Sequence, residues 1–373
     1  MAQESPTALD AMRDALDAAE LDCLVLVSPT NVYYASDADI LTSRVSLGRP
    51  SFVVVPRLGE SAILVCDWEE GFTKSKSRIR DVRSYSLASS AVPMLAEVLL
   101  EKGLERARLG VEETYLRALD YRQLCALLPS AKLLPCDQLM QRLRAIKTPQ
   151  EIESLRQAAI CTEKAIYATF LTARAGATER DLADRIFSSL RGFDAMVPAI
   201  PLLTAGINST TLHLLPSEKR ISPGEVIHVD TQGVFSGYYS DISRNAVVGG
   251  PSPEQRSVYK RLWDTQQQII EEMKVGARAS ELYRLYQKLS ERRGLTVPIS
   301  TLGHGIGLEM HELPELDLEH DTELLPGMVL AVEPTTIIPG DARYDIEDMV
   351  LVTEEGPELL SAWRSAEEMF VIE

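Results

Sequence analysis

Two hydrophobic rhythms alternate along the first third of the chain. Short apolar runs bounded by turn residues give way to stretches in which apolar residues return every three to four positions. The pattern predicts a helix over 7–20, a strand over LDCLVLV (21–27) and a hairpin in which SFVVVP and SAILVCD flank Arg57-Leu58-Gly59-Glu60. A helix over 90–103, a strand over 107–113 and a helix over 115–128 complete a small α/β unit. LRAIKTPQEIESL then starts a new helix. Thr148 is its cap, Pro149 suits its first position, and Glu151 closes a capping box. This signal sets a boundary near 145, with one domain over 1–144 and a second over 145–373.

Past that boundary the sequence repeats. AGATERDL (175–182) and VGARASEL (275–282) align Gly176 with Gly276, Ala177 with Ala277 and Leu182 with Leu282. Each follows a long helical pattern, about 151–173 and 253–274, and opens a second helix. After each helix pair comes a Pro-Gly strand that ends on an acid: PGEVIHVD to Asp230, and PGMVLAVE to Glu333. Each half reads helix, helix, strands. Two such halves pack as a pseudo-twofold α+β domain, a curved sheet covered by helices.

Composition narrows the possibilities. With 373 residues, two domains are expected, and 45% hydrophobic residues suffice for a large core. A net charge of −17 argues against nucleic acid, which needs a basic face. No apolar run is long enough to span a bilayer, and the acidic, amphipathic start MAQESPTALDAMRDALDAAELD is unlike a signal peptide. Cys23, Cys66, Cys125, Cys136 and Cys161 stand singly in apolar surroundings with no CxxC, as reduced core cysteines do. A cytoplasmic protein is expected.

The acids carry the chemistry. After Asp230 the run TQGVFSGYYSD offers turn residues, so Asp230 and Asp241 can face each other on a hairpin. In the second half Glu333 and Glu347 flank a turn at Pro339-Gly340. Four ionised carboxylates in one apolar interior would repel and lose hydration. Either cations hold them, or two of the four point outward, as a single such pair ordinarily would. GHGIGLEMHELPE (303–315) adds His304 and His311, two of only five histidines, in a Gly-rich segment between the acid pairs. One imidazole with four carboxylates suits two divalent ions, Mn²⁺ first, with Co²⁺, Zn²⁺ or Fe²⁺ also compatible. Paired metals would lower the pKa of a water between them and make a hydrolytic nucleophile.

With these motifs the sequence resembles the pita-bread metallopeptidases: aminopeptidase P, prolidase (Xaa-Pro dipeptidase), methionine aminopeptidase and the related creatinase. RDALDAAELDCLVLVSPTNVYYASD resembles the start of the creatinase-type N-terminal α/β domain, and IEDMVLVTEEGPELLS the close of the catalytic domain. The resemblance implies five metal ligands: Asp230, Asp241 in GYYSDISR, His304 in GHGIG, Glu333 in VEP and Glu347 in IED. Asp230, Asp241 and Glu347 would hold one ion. Asp241 and Glu347 would bridge to a second, completed by His304 and Glu333. Glu333 would also be the general base, deprotonating a bridging hydroxide's parent water. His213 matches a substrate-binding histidine, and His311 the one that stabilises the tetrahedral intermediate. His228 and His320 match nothing, so a structural or exposed place is expected. A homodimer acting on a small peptide is implied.

Some positions depart from the family pattern. Prolidases commonly carry arginines where Glu315 and Asp345 stand here, although Arg343 is nearby, and the usual EPG is EPT with Thr335. Glu315, Arg343 and Asp345 are therefore candidate specificity residues; the alternative is that Glu315 and Asp345 pair with Arg343 or another surface base and never meet the substrate. Hydrolysis of the Xaa-Pro bond is the first expectation. A metal-dependent hydrolase of a small amide or amidine, similar to creatinase or ectoine hydrolase, and a silent binding module are the alternatives.

Overall fold

The computed structural model describes residues 7–46, 48–195 and 201–373. Residues 1–6, part of the stretch read as unlike a signal peptide, lie outside the described residues. The chain forms two compact units that meet in sequence between Leu143 and Arg144. No helix among the described residues is long and apolar enough to cross a membrane.

The first unit is a six-stranded sheet of β1 (Cys23–Leu26), β2 (Phe52–Pro56), β3 (Ala62–Cys66), β4 (Asp81–Tyr85), β5 (Arg108–Val111) and β6 (Lys132–Pro135), in the order β4-β3-β2-β1-β5-β6. β1, β2 and β3 are antiparallel neighbours, whereas β3–β4, β1–β5 and β5–β6 are parallel. The three central antiparallel strands are buried along their whole length, which explains their unbroken apolar runs. Short helices such as Pro29–Ser36 and Glu70–Lys76 escape the periodicity because seven or eight residues span only about two turns.

In the second unit the repeat is written into the backbone. Helices Pro149–Thr172 and Pro253–Glu271 both start with a capping box and proline in the first turn, formed by Thr148 with Glu151 and by Ser252 with Gln255. Helices Glu179–Gly192 and Ala279–Arg292 follow. Gly176 and Gly276 share left-handed φ values of 85° and 88°. Their N–H groups donate to Ile221 O and Leu324 O, at 2.8 and 2.9 Å. Gly224 and Gly327 have φ of 83° and 87° and donate to Val248 O and Val352 O, at 2.8 and 2.9 Å. Glycine is needed at such left-handed turns because a Cβ is disfavoured there.

Each half lays its first helix on its own strands. The first half contributes β7 (Leu202–Ala205), β8 (Val226–Phe235) and β9 (Tyr238–Val248), and the second β10 (Gly303–Gly305), β11 (Glu312–Glu315), β12 (Val329–Val332), β13 (Thr335–Ile337), β14 (Arg343–Asp345), β15 (Asp348–Thr353) and β16 (Gly356–Leu359). β17 (Phe370–Ile372) returns beside β9, giving sheets ordered β17-β9-β8-β7 and β11-β10-β12-β15-β16, with β13 and β14 paired apart. Leu155, Ile166 and Phe170 pack with Val229 and Ile242 in one core, while Ile269, Tyr286, Leu330 and Val350 share another. This is the pita-bread fold. Arg244, 1% exposed, joins the halves: its guanidinium donates to Glu347 O (2.7 Å) and pairs with Glu163 (3.1 Å) and Asp348 (2.7 Å). Glu347 N–H reaches back to Ser243 O at 3.1 Å.

The predicted second-half hairpin does turn at Pro339-Gly340, but it is broken at both ends. Glu333-Pro334 separates β12 from β13, and Ile346-Glu347 separates β14 from β15. Pro334 has no N–H to continue a ladder, so the chain leaves the sheet at Glu333.

The tightest backbone contact lies under the histidine strand. Gly303 has φ 153°, and a Cβ there would fall 2.0 Å from Ala331 O. Gly303→Ala should cost about 1–3 kcal/mol for overpacking, with a further backbone penalty. Gly224→Ala, where a Cβ meets nothing within 4 Å, should bear the backbone cost alone. Chemical denaturation should show the larger midpoint drop for Gly303→Ala; equal drops would refute the close-contact argument.

Candidate metal centre

Asp230 and Asp241 stand on β8 and β9, joined by a two-residue turn in which Ser236 and Gly237 have φ of 51° and 84°. Positive φ at both positions is the geometry of a tight hairpin turn whose twist matches its strands. The turn fixes the register. Asp230 pairs with Ser243 and Asp241 with Gln232, so the two acids are diagonal neighbours on one face instead of facing each other directly. Gln232 fills the gap, its Nε2 donating to Asp230 Oδ1 (3.0 Å) and to Asp241 Oδ1 (2.7 Å).

The other half brings its acids to the same place. Asp230, Asp241 and Glu347 each present an oxygen within 4.8 Å of the others, and so do the ligand atoms of His304, Glu333 and Glu347. His304 lies on β10, opposite Ala331. Its Nδ1 donates to Gly305 O (3.0 Å), which leaves the Nε2 lone pair directed at Asp241 Oδ2 (3.9 Å) and Glu333 Oε1 (4.0 Å). A backbone acceptor on one ring nitrogen fixes the tautomer a ligating histidine needs.

Burial raises the carboxyl groups of Asp230, Asp241, Glu333 and Glu347, and neighbouring acids push the last three further. Burial, helped by His311, lowers His304 to about 4, so the imidazole is neutral at pH 7. No lysine or arginine among the described residues forms an ion pair with any of the four acids. Crowded acidic oxygens and one neutral imidazole, buried except for the 14% exposed Glu333, are the donor set that hard or borderline divalent cations satisfy.

His311 also approaches Asp241 and His304, within 4.8 Å. Yet its ring stacks on His304, with centroids 3.7 Å apart and planes at 15°. A ligating nitrogen keeps its ion near the ring plane, and two nearly parallel planes at that separation share no such point. The His311 side chain is half exposed. Burial and the nearby charge of His213 lower its pKa. His213 itself sits on an exposed loop at φ 57°.

The specificity candidates separate. Glu315 pairs with His304 across β10 and β11, is 28% exposed, and lies 4.0 Å from His311 Nδ1. Burial and Asp317 raise its pKa. Asp345 takes the second of the two places open to it in the sequence, paired with Arg343, and is 0% exposed. It forms an ion pair with the buried Arg343 and lies 3.4 Å from His228 Nε2. β14 turns both 343 and 345 inward beside Thr335 of β13, so the pair neutralises itself inside the protein. His228 is accordingly buried, and His320 is exposed and bonded to Asp317.

Comparison with known proteins agrees with this architecture. Residues 153–354 match the model of metallopeptidase family M24, and residues 9–146 that of the creatinase/prolidase N-terminal domain. The chain belongs to metallopeptidase family M24 and is an enzyme of that class. It is 30% identical to an Xaa-Pro dipeptidase of Pyrococcus furiosus over 95% of this chain and 97% of the relative. Among solved structures it is similar to an Xaa-Pro dipeptidase from Bacillus anthracis, with TM-score 0.85 and 27% identity over 98% of this chain and 99% of that one. An X-Pro aminopeptidase from Thermotoga maritima has the same fold, with TM-score 0.86 at 22% identity over 98% of this chain and 99% of that one.

The raised carboxyl groups set the pH dependence of cation uptake. Groups raised above the usual range keep their protons to higher pH, and a cation takes only ionised oxygens. Loading therefore expels protons, and affinity rises with pH until the acids are fully ionised. Adding Mn²⁺ to metal-free protein in weak buffer at about pH 6 should acidify the solution, and calorimetry should give tighter binding at about pH 7.5. Affinity that is flat over this range, with no proton release, would contradict the assignment.

Proposed function

We propose that the protein is a dinuclear metal-dependent peptidase that cleaves the Xaa-Pro bond of di- or oligopeptides. The observation that carries this reading is the pair of donor sets, Asp230/Asp241/Glu347 and His304/Glu333/Glu347, which share Glu347. One carboxylate common to two sets is the arrangement that bridges neighbouring cations. Two ions held there would supply Lewis acidity at the scissile carbonyl and bring a water's pKa towards neutrality. Mn²⁺ is the first choice for that donor set, and Co²⁺, Zn²⁺ and Fe²⁺ remain compatible.

The chain's own residues would do the remaining work. Glu333, at 14% exposure, is open enough to meet water, and its carboxylate would take a proton from the nucleophile and return it to the leaving nitrogen. His304, fixed through Nδ1, would hold its cation without titrating near neutrality. Gln232 keeps Asp230 and Asp241 oriented before any ion arrives. His311 and His213, on the open side, would donate hydrogen bonds to the substrate and to the oxyanion that develops.

Activity should therefore depend on both metal and Asp241, whose oxygens join the Asp230/Glu347 set and lie beside His304. Metal-stripped wild type should not hydrolyse Xaa-Pro dipeptides or longer Xaa-Pro-Xaa peptides until a divalent ion is restored. Asp241→Ala should lose both activity and most of the metal measured by elemental analysis. Full turnover by metal-free Asp241→Ala would end the dinuclear reading.

A specific observation favours a neutral or cationic group at the substrate's far end, and with it the small-amide alternative. Arg343 is committed to Asp345, and the charged side chain beside His311 is Glu315. A free carboxylate there would meet a like charge. Glu315→Arg should thus raise turnover of Xaa-Pro dipeptides relative to their amides, by offering a bidentate partner. If wild type prefers free dipeptides and the variant brings no relative gain, Glu315 has no part in specificity. Cyclic and guanidino amides in the same panel distinguish the non-peptide alternative.

A further inference from the structure

The segment that carries His311 is tied at both ends to one buried cation. Arg144, with a side chain 4% exposed, donates to Glu309 Oε2 through Nη2 at 2.7 Å and forms an ion pair with Glu312, its Nε 3.2 Å from Oε1. Lys147, 2% exposed, reaches Glu312 Oε2 at 3.2 Å. Glu312 is itself 2% exposed, and its Oε1 accepts the Glu309 N–H at 3.2 Å. Glu309 and Glu312 bracket Met310 and His311, so the two cations close a short loop around the histidine. Gly307 makes room for the carboxylate: a Cβ there would fall 2.5 Å from Glu312 Oε2.

The cations are themselves anchored beneath a ligand-bearing strand. Lys147 N–H donates to Gly327 O (2.9 Å), and Ile146 bridges to Met328, just ahead of β12 and Glu333. His311, in contrast, forms no side-chain hydrogen bond among the described residues. Its orientation rests on the stack with His304, on the approach of Glu315 at 4.0 Å and on the backbone of its own loop. Three buried charges are a poor means of stabilisation, since apolar residues of similar volume usually do as well or better. What the cluster provides is a defined geometry for the residue between its two acids.

We propose that Arg144, Lys147 and Glu312 are positioning residues that fix His311 over the candidate metal centre, a role that rests on the peptidase reading above. Misplacing a substrate-facing group by about 1 Å costs on the order of 100-fold in rate. Glu312→Gln, which keeps size and some hydrogen bonding, should lower kcat by about 10- to 100-fold with KM and bound metal little changed. In a His311→Ala background the same substitution should add less than about twofold, because the residue it positions is gone. Equal losses in both backgrounds, or loss of metal with kcat, would overturn the proposal. If Glu312→Gln fails to fold, Glu309→Gln at the 42% exposed end of the clamp replaces it in the same cycle with the same criteria. Wild type inactive on every peptide would count against the peptidase reading alone. The His311 ring signal in NMR, assigned by its loss in His311→Ala, then decides the clamp. A shift in the clamp variant, as the ring leaves the His304 stack, supports it; an unmoved signal refutes it.

Discussion

Four carboxylates held together away from water are the constraint on which the second unit turns. Each is costly alone and more costly beside the others, and the protein gathers them from four separate backbone positions. Two come from a hairpin with a fixed two-residue turn, and two from the points where the chain leaves or re-enters a sheet. The nearby fixed cations are already committed elsewhere: Arg244 pairs with Glu163 and Asp348, and Arg343 with Asp345. The acids at the centre are thus left for mobile cations.

Much of this was legible in the sequence because it rests on short-range rules. Capping boxes at Thr148 and Ser252, left-handed glycines at 176, 224, 276 and 327, and paired Pro-Gly strands each have a local signature. The positions of Asp230, Asp241, His304, Glu333 and Glu347 could be named from motifs. What stayed hidden depends on partners far apart in the chain. Arg144 and Glu309 are 165 residues apart, and Arg244 meets Asp348 across 104. No spacing rule announces such pairs. The diagonal offset of Asp230 and Asp241 was missed for a different reason. It follows from which two residues make the turn, and the run after Asp230 offers Gly233 as well as Ser236-Gly237. Whether Asp345 faces the substrate or pairs with Arg343 stayed open in the sequence, because its charge is visible there and its burial is not.

His311 and Glu315 show how one short segment divides its labour by register alone. Glu312, one residue after His311, points into the buried cation cluster, and Glu315 emerges beside the imidazole. The cross-strand contact with β10 sets Glu315 opposite His304 and Glu312 opposite Gly305. A single slip of that pairing would exchange the inward and outward residues, which makes the close approach at Gly305, where a Cβ would fall 2.4 Å from Leu313 O, a guard on side-chain identity as well as on packing.

The backbone repeat has a consequence for the order in which ions arrive. His304 lies opposite Ala331 on β12, and the matching place in the first half, opposite His228 on β8, is held by Thr204. The frame is symmetric, but its furnishing is not. An ion among Asp230, Asp241 and Glu347 meets oxygen donors only, whereas one among His304, Glu333 and Glu347 also meets nitrogen. Sites of unequal softness rank the available metals differently. Under the dinuclear proposal, occupancy would then be stepwise, and a mixed pair of ions would be as natural a resting state as a matched one.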